Sequence, residues 1–148
     1  MDKLDRKLLS IVQRDNRLSY EQLGIQVGVS PSAVRRRLTR LREGGVIIAD
    51  VALLDPGPST VTVITSIRMV NETHRTYEAF KKKMKEAPEV AQCYTVSGEA
   101  DFFVVAHFSD LPNYEKWIDR YILSDDSVQR SDTNIVYSRI KYETAINI

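Results

Sequence analysis

Cysteine is almost missing from this chain. Cys93 is the only one in 148 residues, which excludes an internal disulfide and a cysteine-rich metal site. It lies in the apolar, alternating run 90–96 and reads as a buried strand residue rather than a nucleophile. The two histidines, His74 and His107, have no cysteine or carboxylate cluster at ligand spacing, so they read as a surface and a core histidine and no metal ligand is assigned. No Gly-rich phosphate loop and no nucleophile–base motif is present, and no catalytic residue is assigned. No apolar run approaches membrane-spanning length and no charged-then-apolar leader opens the chain. A cytoplasmic protein with no membrane partner is the expectation.

Acid is missing too, and from one place. Between Glu21 and Glu43 there is no Asp or Glu, while five arginines (Arg35, Arg36, Arg37, Arg40 and Arg42) crowd the end of that interval. Ser30 suits a helix cap and Pro31 a first helical turn, where a missing N–H costs nothing. Val34, Leu38 and Leu41 recur at spacings of four and three, which marks one apolar face. A short helix apolar on one side and this cationic on the other suits a polyanion, and arginine favours bidentate contact with phosphates and guanine edges. Ser30, Ser32, Arg35, Arg36, Arg37 and Arg40 are therefore the candidate DNA-binding residues. Of these, Ser32, Arg35, Arg36 and Arg40 are expected to face the major groove or its flanking phosphates, with Arg37 nearer the buried edge.

Charge is distributed unevenly around that helix. Residues 1–48 hold ten Lys and Arg against five Asp and Glu; residues 49–148 hold eleven against fifteen. A basic front and a mildly acidic back fit a nucleic-acid module joined to something else. Residues 2–15 read as a first helix. A capping box at Ser19 and Gln22 opens a second over 20–27, and Gly28 supplies the turn before the arginine-rich helix. This is a helix-turn-helix with a helix before it. The β-rich stretch 46–54 reads as a wing or an outgoing strand, and 55–59, with two prolines and a glycine, as the domain boundary. The expected domains are 1–48, a strand and linker over 49–59, and 60–148.

Beyond the boundary the period changes. Residues 60–70 read as strand, 73–87 as helix, 89–97 and 102–108 as a hairpin, 111–123 as a second helix with Leu111 and Trp117 inward, and 128–142 as a last long strand. The order βαββαβ is that of a ferredoxin-like unit, giving an α+β protein overall. Residues 81–85 carry four lysines, read as a solvated face because Glu78 and Glu86 flank them at helical pairing distance. Consecutive N–H groups at the Gly98 turn suit a carboxylate, and Asp101 suits an ammonium. An ordinary hairpin turn capped by Asp101 accounts for the same residues.

The whole pattern resembles the Lrp/AsnC, or feast/famine, family of transcription regulators. The likeness runs from Leu4-Asp5 through Leu23-Gly24, Val29-Ser30-Pro31, Val34, Arg37 and Leu41 to Gly45-Val46-Ile47 and Leu54-Asp55-Pro56. It continues through Cys93-Tyr94, Gly98-Glu99 and Asp101-Phe102 to Thr133, Ile135, Val136 and Lys141. The resemblance implies a sequence-specific regulator of double-stranded DNA that is not an enzyme and that dimerises through its C-terminal sheets, with further assembly to tetramers or octamers. It also implies a small amino acid as effector between subunits, with no other cofactor. The effector-site expectation comprises Tyr94, Val96, Gly98, Glu99, Ala100 and Asp101, with Ser131 and Thr133 from the last strand. A ligand-independent architectural DNA binder is the alternative. Gly24 departs from the family's usual alanine and is expected to weaken its helix by up to about 1 kcal/mol.

Overall fold

The computed structural model describes all 148 residues, in two compact units. The first comprises Met1–Leu54 together with Ile140–Ile148, the second Asp55–Arg139. The last nine residues thus belong to the helical unit rather than to the sheet. Gln13 explains part of this, because its side-chain amide exchanges two hydrogen bonds of 2.9 Å with the backbone of Ile146.

In the first unit α1 spans Lys3–Val12, α2 Tyr20–Val27 and α3 Pro31–Glu43. Asp2 caps α1 in a reciprocal box with Asp5, and Ser19 caps α2 in one with Gln22. The second arrangement is the one read from the sequence; the first adds a device not anticipated there. Leu8, Leu9, Val12, Leu23, Val34, Leu38 and Leu41 close the core. The expected wing does not form. Residues 46–54 pair with no strand, and Ile48 stays 93% exposed. A β-rich stretch needs a ladder partner, and this chain supplies none. Instead Val46 and Ile47 donate their N–H groups to Leu41 O, which caps the end of α3.

In the second unit β1 spans Val61–Met69, α4 His74–Glu86, β2 Val90–Thr95, β3 Phe102–Phe108, α5 Leu111–Ile118 and β4 Val128–Ile135. One π-helical turn, Asp119–Leu123, follows α5. The antiparallel sheet has the order β2-β3-β1-β4, the ferredoxin-like arrangement the βαββαβ pattern implied. Alternation along β1 and β3 sends Val63, Ile67, Phe102, Val104 and Ala106 to the helix-covered face with Phe80, Met84, Trp117 and Ile122. The other face carries Ile64, Phe103 and Tyr94, all exposed.

Two expectations fail here. Leu111 lies outward at the start of α5, and Ile122, on the π-helical turn, is the buried residue at the far end. β4 also stops at Ile135 rather than reaching residue 142, and Tyr137 is 100% exposed. The cause is the partner. Ile135 pairs with Val63 and Val136 N–H reaches Thr62 O, which leaves Val61 as the one residue of β1 beyond this point.

Candidate nucleic-acid interface and effector turn

The helix-turn-helix depends on a close approach. A Cβ on Gly24 would stand 2.6 Å from Val29 O in the turn. That carbonyl is backbone and cannot swing aside, so the glycine is what permits the crossing of α2 and the turn. The view of Gly24 as a weak point in α2 is corrected accordingly. Gly28 takes φ +77°, the left-handed conformation an abrupt helix end needs, and both Gly28 and Val29 donate to Gly24 O. Ser30 Oγ then accepts from Ala33 N–H at 3.3 Å and opens α3. Its hydroxyl serves as a cap and lies 3.1 Å from Ser32 Oγ.

The five arginines of α3 divide into two groups. Arg37 Nη1 donates to Asp2 Oδ2 at 2.6 Å and Asp5 Oδ1 at 2.8 Å. Arg40 Nη2 grips both oxygens of Asp5, at 3.0 and 2.8 Å. Arg42 pairs with Asp50 at 2.8 Å. Asp5 is only 1% exposed. Burial pushes its carboxyl upward, but the Asp2 N–H, Arg37 and Arg40 outweigh that and hold it below the ordinary carboxylate range. The Asp5 N–H, followed by Arg37, holds Asp2 down at about 2. Arg35 and Arg36 have no such partner and are exposed, beside Ser32 and Thr39 on the same strip of helix. Arg40 was expected to face the groove or its phosphates and Arg37 to lie nearer the buried edge; both are bound to acids of α1 and its cap. Thr39 was not singled out, although its spacing of three from Arg36 and four from Arg35 was the available signal.

The turn joining β2 and β3 is tied to β1. Asp101 N–H donates to Ile67 O at 2.8 Å, and Val96 N–H donates to Asp101 O at 2.9 Å. Both carboxylate oxygens of Asp101 are used: Oδ2 accepts from Met69 N–H at 2.6 Å and Oδ1 from the Tyr77 hydroxyl at 2.5 Å. Asp101 is therefore a fastener within the chain, the role that the reading as an ordinary hairpin turn gave it. The same hydrogen bond, with burial, pushes the Tyr77 hydroxyl up to about 12. Nothing in the sequence pattern pointed to Tyr77, which reads as one more apolar-face aromatic of α4. Gly98 takes φ +136°, and the N–H groups of Gly98, Glu99 and Ala100 meet no acceptor in the chain.

The remaining expected wall residues do not converge on that turn. Tyr94 pairs with Phe103 on the open face of the sheet. Ser131 and Thr133 pair with the buried Ile67 and Thr65, on the covered face and at the opposite edge. Thr133 Oγ1 bonds Thr65 Oγ1 at 2.9 Å. Within one chain β1 stands between Ser131 and Asp101, so Val96, Gly98, Glu99, Ala100 and Asp101 share a site while Tyr94, Ser131 and Thr133 lie elsewhere. No group of three or more His, Cys, Asp or Glu is arranged to hold a metal. No helix is long and apolar enough to cross a membrane.

A three-helix module whose tight turn presents a cationic helix, joined in sequence to a ferredoxin-like unit, defines a DNA-binding regulator with a separate sensing domain. The comparisons agree along the chain. Residues 1–42 match the AsnC-type helix-turn-helix domain and residues 62–146 the Lrp/AsnC ligand binding domain. The chain belongs to the Lrp/AsnC family of DNA-binding transcriptional regulators. It is 35% identical to a helix-turn-helix transcriptional regulator of Sinorhizobium fredii, over 100% of this chain and 89% of that one. It is 30% identical to the DNA-binding transcriptional activator DecR of Escherichia coli, over 100% and 99%. A Neisseria meningitidis transcriptional regulator solved as its L-Met complex superposes with a TM-score of 0.89 at 28% identity, covering 99% of this chain and 96% of that one.

Proposed function

We propose that this regulator reads DNA with the strip Ser32, Arg35, Arg36 and Thr39, as a dimer or larger assembly, under control of a small amino acid. The observation that carries the reading is the division of the arginines. Three of the five are neutralised by Asp2, Asp5 and Asp50, which leaves Arg35 and Arg36 exposed and unpaired beside two hydroxyls. Unpaired guanidinium groups on one helix strip are what base edges and phosphates require. Ser30 contributes through its cap, and Arg37 and Arg40 through α1.

Paired half-sites need two recognition helices, and the open sheet face with Ile64, Phe103 and Tyr94 is the surface a second copy covers. Effector binding rests on the ligand-binding-domain match, the L-Met complex of the Neisseria relative, and the three uncommitted N–H groups of the turn. Those groups hold the effector carboxylate, with the exposed Glu99 toward the ammonium. Tyr94, Ser131 and Thr133 join that site only where a neighbouring subunit brings them to it. A DNA-bound regulator of this kind works in the cytoplasm.

The test is selection of a duplex from a random pool, then affinity measured against scrambled duplex at physiological salt. A wild-type preference of about a thousandfold or more, collapsing in Arg35→Ala/Arg36→Ala, supports the reading. Near-uniform affinity with a dominant salt slope overturns it in favour of an architectural binder.

A further inference from the structure

The ferredoxin-like unit holds a cavity at the end of the sheet away from the Gly98 turn, where β2 begins and β3 ends. It measures about 310 Å³ and is bordered by Glu89, His107, Lys116, Trp117, Arg120 and Tyr121. Three observations set it apart from an ordinary surface hollow. Trp117 is 3% exposed, yet its Nε1–H has no acceptor, and Glu89 Oε2, also buried, has no donor. Buried polar atoms are almost always satisfied, so a wall with an unmatched donor and an unmatched acceptor is suited to a ligand bearing both. The charges beside it are equally unspent. Lys116 and Arg120 stand one helical turn apart with no carboxylate partner, while Glu89 has no cation. The cavity holds an acid and two cations apart rather than pairing them.

The third observation is the backbone. The π-helical turn Asp119–Leu123 presents Arg120 and Tyr121 here, and such turns recur at functional sites. Tyr121 stacks on Trp117 with centroids 5.5 Å apart and planes inclined by 20°, and the Arg120 guanidinium lies 5.3 Å from the Tyr121 ring centroid. His107 is anchored through Nδ1 to Thr62 Oγ1 at 2.9 Å, which turns its other nitrogen away from that bond.

We propose that this cavity is a second small-molecule site, taking a zwitterion with an apolar body. The ligand carboxylate meets Lys116, Arg120 and the indole N–H; its ammonium meets Glu89; its apolar part lies against the Tyr121–Trp117 stack. The site shares no residue with the Gly98 turn and does not depend on how DNA is read.

Trp117 is the only tryptophan in the chain, so all indole emission originates in the wall of this cavity, and the variants below separate binding here from binding at the turn. The full-length protein is titrated with each standard amino acid other than tryptophan and tyrosine, up to about 10 mM. The expected result is a saturable change in Trp117 emission with at least one of them. The deaminated and decarboxylated analogues of that amino acid, and the variant Lys116→Ala/Arg120→Ala, should each bind about tenfold or more weakly, because each removes a charge-assisted contact. Both substituted side chains are exposed, and an unchanged thermal midpoint without ligand verifies the fold. Failure of every amino acid to change the emission overturns the proposal. So does a response retained at full affinity in the double variant, or one abolished by Glu99→Ala, since the signal would then arise at the turn.

Discussion

The Tyr77 hydroxyl donates to Asp101 Oδ1 across 2.5 Å, and this bond ties α4 to the β2–β3 turn. Tyr77→Phe should lower stability by about 1.5–3 kcal/mol, the range for a hydrogen bond to a charged acceptor. The folded pKa of Tyr77 is raised to about 12 from an ordinary 10, so its contribution is complete below pH 10 and is lost as pH rises through 12. Absorbance titration should find one of the seven tyrosines releasing its proton late, and that step should vanish in the variant. A titration curve identical in wild type and Tyr77→Phe apart from the loss of one ordinary step would contradict the bond.

Arg36→Ala and Arg37→Ala, adjacent in sequence, should separate two roles. Arg36→Ala is expected to weaken binding to the selected duplex by about 1–3 kcal/mol with little change in melting temperature. Arg37→Ala should do the reverse, lowering the midpoint by several degrees because Asp2 and Asp5 lose a shared partner. Melting curves and duplex titrations on both variants decide the matter, and a crossed outcome would refute the division of arginines.

Gly24→Ala should destabilise the helical unit. Helix propensity favours alanine by about 1 kcal/mol, but the new Cβ would lie 2.6 Å from Val29 O, a backbone atom. Calorimetry that returned an unchanged or raised midpoint would mean the turn yields more easily than its hydrogen bonds to Gly24 O indicate.

Acid should unfold the protein progressively. Asp2 sits at about 2, held there by the Asp5 N–H and Arg37, and Asp50 is lowered by Arg42. Asp125 is lowered by Lys83 and Ser127 against the opposing effect of burial. Carboxyls depressed in the folded state contribute fully above their unfolded pKa, about 4, and lose that contribution as pH falls through the folded values. The thermal midpoint should hold down to about pH 5 and drop between about pH 4 and 2. Asp2→Asn should flatten that drop, and an unaltered pH profile in the variant would remove Asp2 from the account.

Much of the molecule was legible because it is locally encoded. Caps at Ser19 and Ser30, the left-handed Gly28 and the four-and-three spacing of Val34, Leu38 and Leu41 act within a few residues, and the structure has each where its spacing predicts. The βαββαβ order was legible for the same reason, and the known handedness and pairing habits of such units supplied the topology. The site was legible only in outline. Asp5 and Arg37 are 32 residues apart, Tyr77 and Asp101 24 apart, and a carboxylate looks the same in sequence whether it awaits a ligand or is already bonded.

The sequence by itself determined the helices, the turn between them, the βαββαβ order along the chain and the cationic character of α3, since all of these follow from periodicity and short-range stereochemistry. Only the tertiary structure decided which arginines remain free, that Asp101 fastens a turn, and that residues 46–54 and 136–142 end without strand partners. Charges and strand edges are satisfied by whatever folding brings beside them, and that neighbour is set by packing across the chain rather than by the residue's own surroundings in sequence.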